Sequence, residues 1–398
     1  MVEKIDPSGK DMLKFIQMIC NEAGPRIGGS EAESKAGNII FDTMSSFCDD
    51  VERVEFECHP RGFLDWIWVT AVFYILGVIS YFFIPLLSSV LIFLGIAIFF
   101  IQQVLLMEVV DFLFPKKKSF HVVGKIKPQS TPKNLVLLAG HHDSAYTFPI
   151  LSKLGSKSAF LIVLVLFIAL LNIVLGIVKT VFVIIQFSQS MLLSIDYFQY
   201  VLFVIGSVLM LILAKFLRSN TVVMGANDNL TAVAAALECG KYFANNKLKE
   251  TEVWIVSFAG EEHMRGSKRF VSKYKQDLSD REAMLFNLEC LSADSFLLAT
   301  AETMFLAKHS NKVIQIGKKA AEDLGIPIEI GPLKFAGSDA ANFSRKGLHA
   351  ATLFGLSKKG TPNDWHTVND IPENLSGEPI AKATEIALHF VELVDNQK

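Results

Sequence analysis

Charge and cysteine are both scarce in this sequence. Asp, Glu, Lys and Arg make up 20% of its 398 residues, against about a quarter in an average soluble domain. The formal net charge of -2 and the lack of a basic stripe interleaved with aromatic residues argue against a nucleic-acid partner. No Cys-x-x-Cys pair occurs, so the widely spaced cysteines predict reduced, packed thiols rather than a zinc finger or a disulfide framework. The cysteines are Cys20, Cys48, Cys58, Cys239 and Cys290.

Apolar residues, in contrast, are abundant: they form 51% of the chain, and the mean hydropathy is +0.38. Much of this excess lies in four uncharged stretches, each close to the roughly 20 residues that a helix needs to cross a bilayer. The stretches are 67–84, 90–107, 159–178 and 197–214. We therefore predict two membrane-spanning hairpins, with Asn172 hydrogen-bonded between helices. Buried helices of a large soluble domain are the alternative, but uncharged runs this long are rare in soluble cores.

Basic residues flank the apolar blocks on the side of the polar segments. The turn near Pro85 has none, and the turn of the second hairpin has only Lys179 at its edge. The positive-inside rule then places the polar segments and both termini in the cytoplasm. Residues 1–14 lack the apolar core of a signal peptide, in agreement with this orientation. The flanking residues are Arg61, Lys116, Lys117, Lys118, Lys153, Lys157, Lys215 and Arg218.

The polar segments are expected to form one α/β domain. Short apolar runs are typical of strands covered on both faces, and helical patterns separate them, which predicts a mixed, mostly parallel central sheet flanked by helices. The apolar runs are 135–139, 253–259, 285–288 and 350–354; the alternating runs 52–58 and 119–127 suit edge or antiparallel strands; the helical patterns are 230–243, 268–274, 309–324 and 379–394. The predicted order is polar segments 1–62, 115–157 and 218–398, which form the α/β domain, interrupted by membrane hairpins 63–114 and 158–217.

Five short motifs carry the candidate chemistry. They read Gly140-His141-His142-Asp143-Ser144, Gly225-Ala226-Asn227-Asp228-Asn229, Gly260-Glu261-Glu262, Asn287-Leu288-Glu289 and Asp364-Trp365-His366-Thr367. Several directly follow strand-like runs, and in a parallel sheet the ligands gather at the carboxyl ends of the strands. Two histidines, a carboxylate able to bridge, two further carboxylates and a spare glutamate are what a two-metal hydrolase requires.

Each motif taken alone has a simpler interpretation. Asp228 stands where it could merely cap a helix that begins near Leu230. Adjacent Glu261 and Glu262 could be solvated acids in a loop, and His366 could be an exposed residue of the loop 361–372. The functional interpretation makes Glu262 a metal ligand and makes Glu261 the acceptor of a proton from water.

Two further residues fit the same interpretation. Asp143 follows His141 by two positions, and a metal-bound imidazole usually needs a carboxylate on its other nitrogen. Glu289 lies within the apolar stretch 284–291, where a carboxylate must be paired, protonated or bound to metal.

This pattern resembles metallopeptidase family twenty-eight of clan MH, the co-catalytic di-zinc aminopeptidases, which also includes glutamate carboxypeptidases and non-catalytic relatives. The resemblance covers nearly all the polar residues. It includes Gly24-Pro25-Arg26 with Gly28-Gly29-Ser30-Glu31, and Phe335-Ala336-Gly337-Ser338-Asp339.

The resemblance implies two zinc ions, for which cobalt or manganese could substitute. One would be held by His141, Asp228 and Glu289, and the other by Asp228, Glu262 and His366. Glu261 would be the general acid/base, and Asp143 would orient His141. Two departures concern Glu289, where many members have aspartate, and Trp365, where some have a tyrosine that stabilises the oxyanion.

The implied function is that of an integral-membrane aminopeptidase with a cytoplasmic catalytic domain. The second hairpin is inserted between His141 and Asp228, which suggests an active site that opens close to the lipid bilayer and favours hydrophobic or membrane-derived peptides. Insertion that was simply tolerated at loops is the alternative. The alternatives are a carboxypeptidase, an amidase acting on lipid-linked amides, and a non-catalytic membrane scaffold. The complete ligand set together with Glu261 argues against the scaffold.

Overall fold

The structure is a computed structural model that describes residues 7–154, 158–334 and 336–397. Lys157 and Phe335, which appear in the patterns above, lie outside these residues. The chain divides into two units, each compact in itself. The first comprises Met1–Pro60, Lys116–Tyr146 and Thr221–Lys398, and the second comprises Arg61–Pro115 and Thr147–Asn220.

A nine-stranded mixed sheet forms the centre of the first unit. The strands are β1 (Asp50–Cys58), β2 (Lys117–Ile126), β3 (Asn134–His141), β4 (Thr251–Phe258), β5 (Met284–Glu289), β6 (Ser295–Glu302), β7 (Ala307–Lys308), β8 (Glu329–Leu333) and β9 (His349–Leu356). Their order is β1-β2-β4-β3-β5-β9-β6-β7, and β8 pairs with β6. The central strands β4, β3, β5 and β9 are parallel, while β1 and β2 are antiparallel. This confirms the predicted fold class.

Helices cover both faces of this sheet. Along β3, Val136 and Leu138 pack in one apolar cluster while Leu135 and Leu137 pack in another, so the strand is buried on both faces. The first cluster includes residues of α1 (Gly9–Ala23), α2 (Glu31–Ser45), α8 (Thr231–Asn245), α10 (Asn311–Leu324) and α12 (Gly377–Asp395). The second includes residues of α9 (Gly266–Asp280) and α11 (Asp339–Ser344).

The carboxyl ends of the parallel strands meet at one edge of the sheet. His141 is the last residue of β3, opposite Phe258 of β4, and Glu289 is the last residue of β5. The turn that carries Glu261 follows β4 directly. Strand register therefore brings three of the sequence motifs together.

The second unit is helical. Within the described residues of the chain, four helices are long and apolar enough to cross a membrane. These four are α3 (Gly62–Tyr81), α4 (Pro85–Phe99, continued by a π turn Phe100–Val104), α6 (Ser158–Ile184) and α7 (Gln189–Phe216), and the short α5 (Pro149–Leu154) precedes α6. Asn172 donates to the Tyr74 hydroxyl at 2.8 Å and accepts from Gln199 Nε2 at 2.7 Å, which is the expected interhelical hydrogen bonding.

Both helices of the first hairpin end three residues earlier than the sequence predicted. Helix α3 stops at Tyr81 rather than at 84, because Pro85 occupies the first position of α4 and the chain must turn before it. The helical backbone of the second span stops at Val104 rather than at 107, since Leu106 takes a positive φ of 52° that a helix cannot contain.

Candidate metal centre

The end of β3 places His141 and Asp143 at the site. His141 Nδ1 lies 3.2 Å from the backbone oxygen of Asp143 and 3.4 Å from its Oδ1, so Nε2 is the nitrogen left to bind a ligand. The Asp143 carboxylate also accepts the backbone N–H of Glu261 at 3.1 Å and of Glu262 at 3.2 Å. Burial opposes ionisation of Asp143, but the hydrogen bond with His141 and the charges of nearby histidines together outweigh burial and lower the pKa to about 2. Asp143 therefore orients two motifs, of which the sequence indicated one.

Asp228 does not cap the helix that follows it. Helix α8 begins at Thr231 without a side-chain cap, and the backbone at Asp228 and Asn229 is not helical. Instead, Asp228 Oδ1 lies 3.1 Å from His141 Nε2, and Oδ2 lies 3.1 Å from His366 Nε2. One carboxylate thus offers one oxygen to each histidine, which is the arrangement of a bridging ligand.

Each histidine has a second carboxylate beside it. Glu289 Oε1 lies 3.2 Å from His141 Nε2, and Glu262 Oε2 lies 3.4 Å from His366 Nε2. The potential ligand atoms form two groups that share Asp228: His141, Asp228 and Glu289, and Asp228, Glu262 and His366. A third, overlapping group joins Glu261 and Glu262 to His141.

The donor set fits zinc. Imidazole nitrogens and carboxylate oxygens bind zinc at about 2.0–2.2 Å, and tetrahedral bonds of that length separate neighbouring ligand atoms by about 3.3 Å. The four separations between histidine nitrogens and neighbouring oxygens within the two groups are 3.1, 3.2, 3.1 and 3.4 Å. These separations are those of atoms that could bind a common metal ion.

The electrostatics of the cluster also call for cations. Burial raises the pKa of Glu289 to about 8 and raises the pKa of Glu261 well above its usual range. Burial opposes protonation of His366, but Glu262 and Asp228 outweigh it and raise its pKa to about 10. Buried carboxylates in this number are unfavourable in the ionised form unless positive charge is close.

Asp339, which ends the second segment quoted for the family resemblance, belongs to the same acidic environment. It is fully buried at the first position of α11. Burial raises its pKa to about 7, and its charge raises the pKa values of Glu261 and Glu289. The sequence marked this residue only as part of a resemblance and gave it no role.

The asparagines beside Asp228 fix it against the strand that carries Glu289. Asn229 donates to the carbonyl oxygen of Leu288 at 3.0 Å and accepts from the Cys290 N–H at 3.0 Å. Asn227 Oδ1 accepts from the Ser292 N–H at 2.9 Å. Both asparagines appear in the sequence motif without a predicted role. Two amides on either side of an acid were the feature of the sequence that could have indicated it.

Asp370 is a functional candidate that sequence analysis missed. It lies in the loop after His366 and is buried, and its carboxylate accepts the backbone N–H of Asn227 at 2.6 Å and of Asp228 at 3.2 Å. Burial raises its pKa to about 7. Asp370 thereby ties the loop of one candidate ligand to the backbone of another.

Trp365 lies against the ring of His366, with 4.5 Å between the ring centroids and 42° between the planes. It also packs on a cluster that includes Leu297, Leu333 and Phe354. The residue that replaces a tyrosine of some relatives is thus part of an apolar wall beside the candidate ligand.

Comparison with known proteins agrees with this geometry. Residues 208–391 match the profile of Peptidase family M28. A comparison with curated proteins finds no match. The fold resembles that of a zinc aminopeptidase from Bacillus subtilis, with 14% identity over 100% of this chain and 98% of the other and a TM-score of 0.59.

Other solved structures share the fold. A Zn-dependent exopeptidase from Parabacteroides distasonis is 14% identical over 99% of each chain, with a TM-score of 0.58. A glutaminyl cyclase from an Acidobacteriales bacterium is 11% identical over 100% of this chain and 97% of the other, also with a TM-score of 0.58. The protein therefore has the fold of the M28 zinc aminopeptidases, and the profile match supports its assignment to that family.

Proposed function

We propose that this protein is an integral-membrane, zinc-dependent aminopeptidase with two metal ions in its active site. The observation that carries the proposal is the Asp228 carboxylate, whose two oxygens each lie 3.1 Å from a different histidine. A shared carboxylate between two sets of nitrogen and oxygen donors is the arrangement for a two-metal hydrolase. His141 and Glu289 complete one set, and Glu262 and His366 complete the other.

Zinc ions bound to these residues would polarise the scissile carbonyl and lower the pKa of a water toward about 7. The chain's own contribution is proton transfer by Glu261. Its Oε2 lies 3.6 Å from His141 Nε2, farther than the proposed ligands Asp228 and Glu289. The Glu261 side chain is 10% exposed. It takes the proton of the attacking water and passes it to the leaving amine.

Asp143 and Trp365 have supporting roles in this proposal. Asp143 fixes the imidazole of His141 and the turn of Glu261 through the contacts described above. Trp365 limits the rotation of His366 and excludes water from one side of it.

A purified preparation tests the activity class. The full-length protein in nanodiscs is incubated with a peptide library, with zinc and with a chelator, and the products are identified by mass spectrometry. Loss of single amino-terminal residues, abolished by the chelator, is the expected result. Carboxy-terminal trimming or cleavage of a lipid-linked amide would identify one of the other hydrolases, and conversion of amino-terminal glutamine to pyroglutamate would identify a cyclase. No turnover and no bound metal would favour a scaffold.

We propose that the four apolar helices of the second unit span a membrane, with the catalytic unit and both termini in the cytoplasm. The basic residues beside the hairpins support this orientation. A membrane-impermeant thiol reagent should not label Gln397→Cys in intact cells and should label it after permeabilisation. The wild-type protein is the control, because its five cysteines are buried or half-buried. Labelling of intact cells would contradict the orientation.

The natural substrates in this proposal are hydrophobic or membrane-derived peptides. Chain connectivity supports it, since the first unit is interrupted after Tyr146 and resumes at Thr221, each within a few residues of a proposed metal ligand. An anchor that served only for attachment could have been placed at a terminus, away from the site. Short peptides with apolar and polar leading residues should differ in kcat/KM in nanodiscs. Equal values, unchanged when detergent replaces lipid, would leave the hairpins as anchors.

A further inference from the structure

Arg26 belongs to the motif Gly24-Pro25-Arg26, to which the proposed mechanism gives no role. Its side chain is completely buried. A buried guanidinium is costly unless its N–H groups are hydrogen-bonded. The five donors of arginine lie in a rigid plane, so the position of the acceptors around it shows what the residue holds in place.

The acceptors of Arg26 are backbone carbonyls from three segments. Nε donates to the oxygen of His142 at 2.7 Å, and Nη2 donates to the oxygen of Gly225 at 2.9 Å. Nη1 donates to the oxygens of Gly24 at 2.7 Å and Met224 at 2.9 Å.

The backbone of Arg26 adds two further contacts to the first of these segments. Its N–H donates to Ser144 Oγ at 2.8 Å, and its carbonyl accepts the Ser144 N–H at 2.9 Å. One residue is thereby bonded both to the segment next to His141 and to the segment just before Asp228.

These two segments are also the ends of the polypeptide that leaves for the second hairpin and returns. Beyond the arginine they pair directly, since Val223 N–H donates to the Ala145 oxygen at 2.9 Å and Tyr146 forms an antiparallel bridge with Val222. The guanidinium lies at the side of this pair that faces the site. Along both segments, the hydrogen bonds of Arg26 therefore lie between this pairing and the candidate ligands His141 and Asp228.

We propose that Arg26 is a positioning residue that sets the distance between His141 and Asp228, and so sets the metal affinity of the centre. The inference rests on the proposed two-metal function. His141 Nε2 and Asp228 Oδ1 must stay within about 3.3 Å of each other to share one zinc ion, and they lie 3.1 Å apart. Their two segments are otherwise separated in the chain by the whole second hairpin.

The test is zinc affinity of the full-length protein in nanodiscs, measured by competition with a fluorescent chelator. Arg26→Lys keeps the charge, but a single ammonium cannot reach four carbonyls that lie around a planar fork. We expect its zinc dissociation constant to rise about 10–100-fold, as for other residues that orient metal ligands. Circular dichroism and the melting temperature of the metal-free protein report folding separately.

Arg281→Met is the matched control. Arg281 pairs with Glu252 at 2.6 Å at the start of β4, which is the edge of the sheet opposite to the site. This variant should lower the metal-free melting temperature and leave zinc affinity unchanged. A lysine variant that melts lower but binds zinc as tightly as wild type would overturn the inference.

Ser144→Ala covers the case in which Arg26→Lys does not fold. It removes only the acceptor of the Arg26 N–H and keeps the guanidinium. A severalfold loss of zinc affinity is expected, and unchanged affinity in this variant would also overturn the inference. Wild-type protein that binds no zinc would instead contradict the proposed function itself.

Discussion

The two units of this molecule bury polar side chains for different purposes. In the second unit, the buried Tyr74, Asn172 and Gln199 are neutral and hydrogen-bond to one another, and the buried carboxylate of Asp65 is paired with two arginines. In the first unit, the carboxyl edge of the sheet buries several acids close together, among them Asp228 and Glu289. Neutral amides that satisfy each other hold helices together, whereas crowded carboxylates need a cation.

The two units also differ in how many large apolar side chains they expose. Among the described residues of the first unit, the large hydrophobic side chains that are exposed are Met18, Leu306, Ile330 and Val368. The second unit exposes apolar side chains along all four long helices, for example Val72, Phe93, Phe160 and Val204. A helical unit with apolar residues outside and amides inside is what a bilayer stabilises, since lipid supplies no hydrogen bonds.

The largest effect should follow from Asp228→Ala. Because each oxygen of this carboxylate faces a different histidine, its removal should abolish binding at both metal positions. Elemental analysis after zinc dialysis measures the metal content. A ligand at a thousand times its dissociation constant stabilises the protein that binds it by about 4 kcal/mol, so zinc should raise the melting temperature of the wild type. It should not raise the melting temperature of Asp228→Ala.

Asp323→Ala is the control for this loss. Asp323 accepts from Lys319 at 2.8 Å on α10 and lies outside the acidic cluster. It should keep two zinc equivalents. Retention of both ions by Asp228→Ala would contradict the shared-ligand arrangement.

Glu261→Gln should keep its metal and lose turnover. An amide cannot accept the proton of the attacking water, and general acid/base catalysis typically contributes about 10²–10⁴-fold. Peptide hydrolysis and zinc content are measured on the same preparation. Full activity would remove Glu261 from the mechanism.

Glu262→Gln should have a smaller and more selective effect. Glu262 lies 3.4 Å from His366 and belongs to the group that is held largely by loops. The affinity of this group for its zinc ion should fall. The zinc ion held by His141 and Glu289, which both lie at strand ends, should remain bound. Titration should then give about one tightly bound zinc. Two tight ions in this variant, with metal loss in Glu261→Gln, would show that the two roles are exchanged.

The smallest effect is expected from Asn172→Leu in the second unit. Hydrogen bonds between membrane helices contribute about 0.6 kcal/mol on average, and this substitution removes the bonds to Tyr74 and Gln199. Thermal unfolding in nanodiscs should show a small loss of stability with unchanged zinc content. A change in zinc content would mean that the two units do not bury polar groups for separate purposes.

Much of the candidate site could be predicted from sequence because the ligands follow recognisable strands. The apolar runs before His141 and Glu289 are strands β3 and β5, and the carboxyl ends of parallel strands lie together. Strands β6, β7 and β8 were not predicted. Strand β7 has only two residues, and β8 includes Pro332 and is largely exposed, so neither shows a strand pattern in the sequence.

The sequence by itself determined the residue types of the site, the α/β class and the apolar character of the four long helices. These depend on composition and on short-range periodicity, which one chain carries in full. Only the tertiary structure decided which oxygen of Asp228 faces which histidine, and it alone revealed Arg26 and Asp370 as partners of the ligand loops. Those contacts join segments that are distant in the chain. They depend on backbone carbonyls and N–H groups, which nearly every residue possesses, so no pattern of side chains in the sequence predicts them.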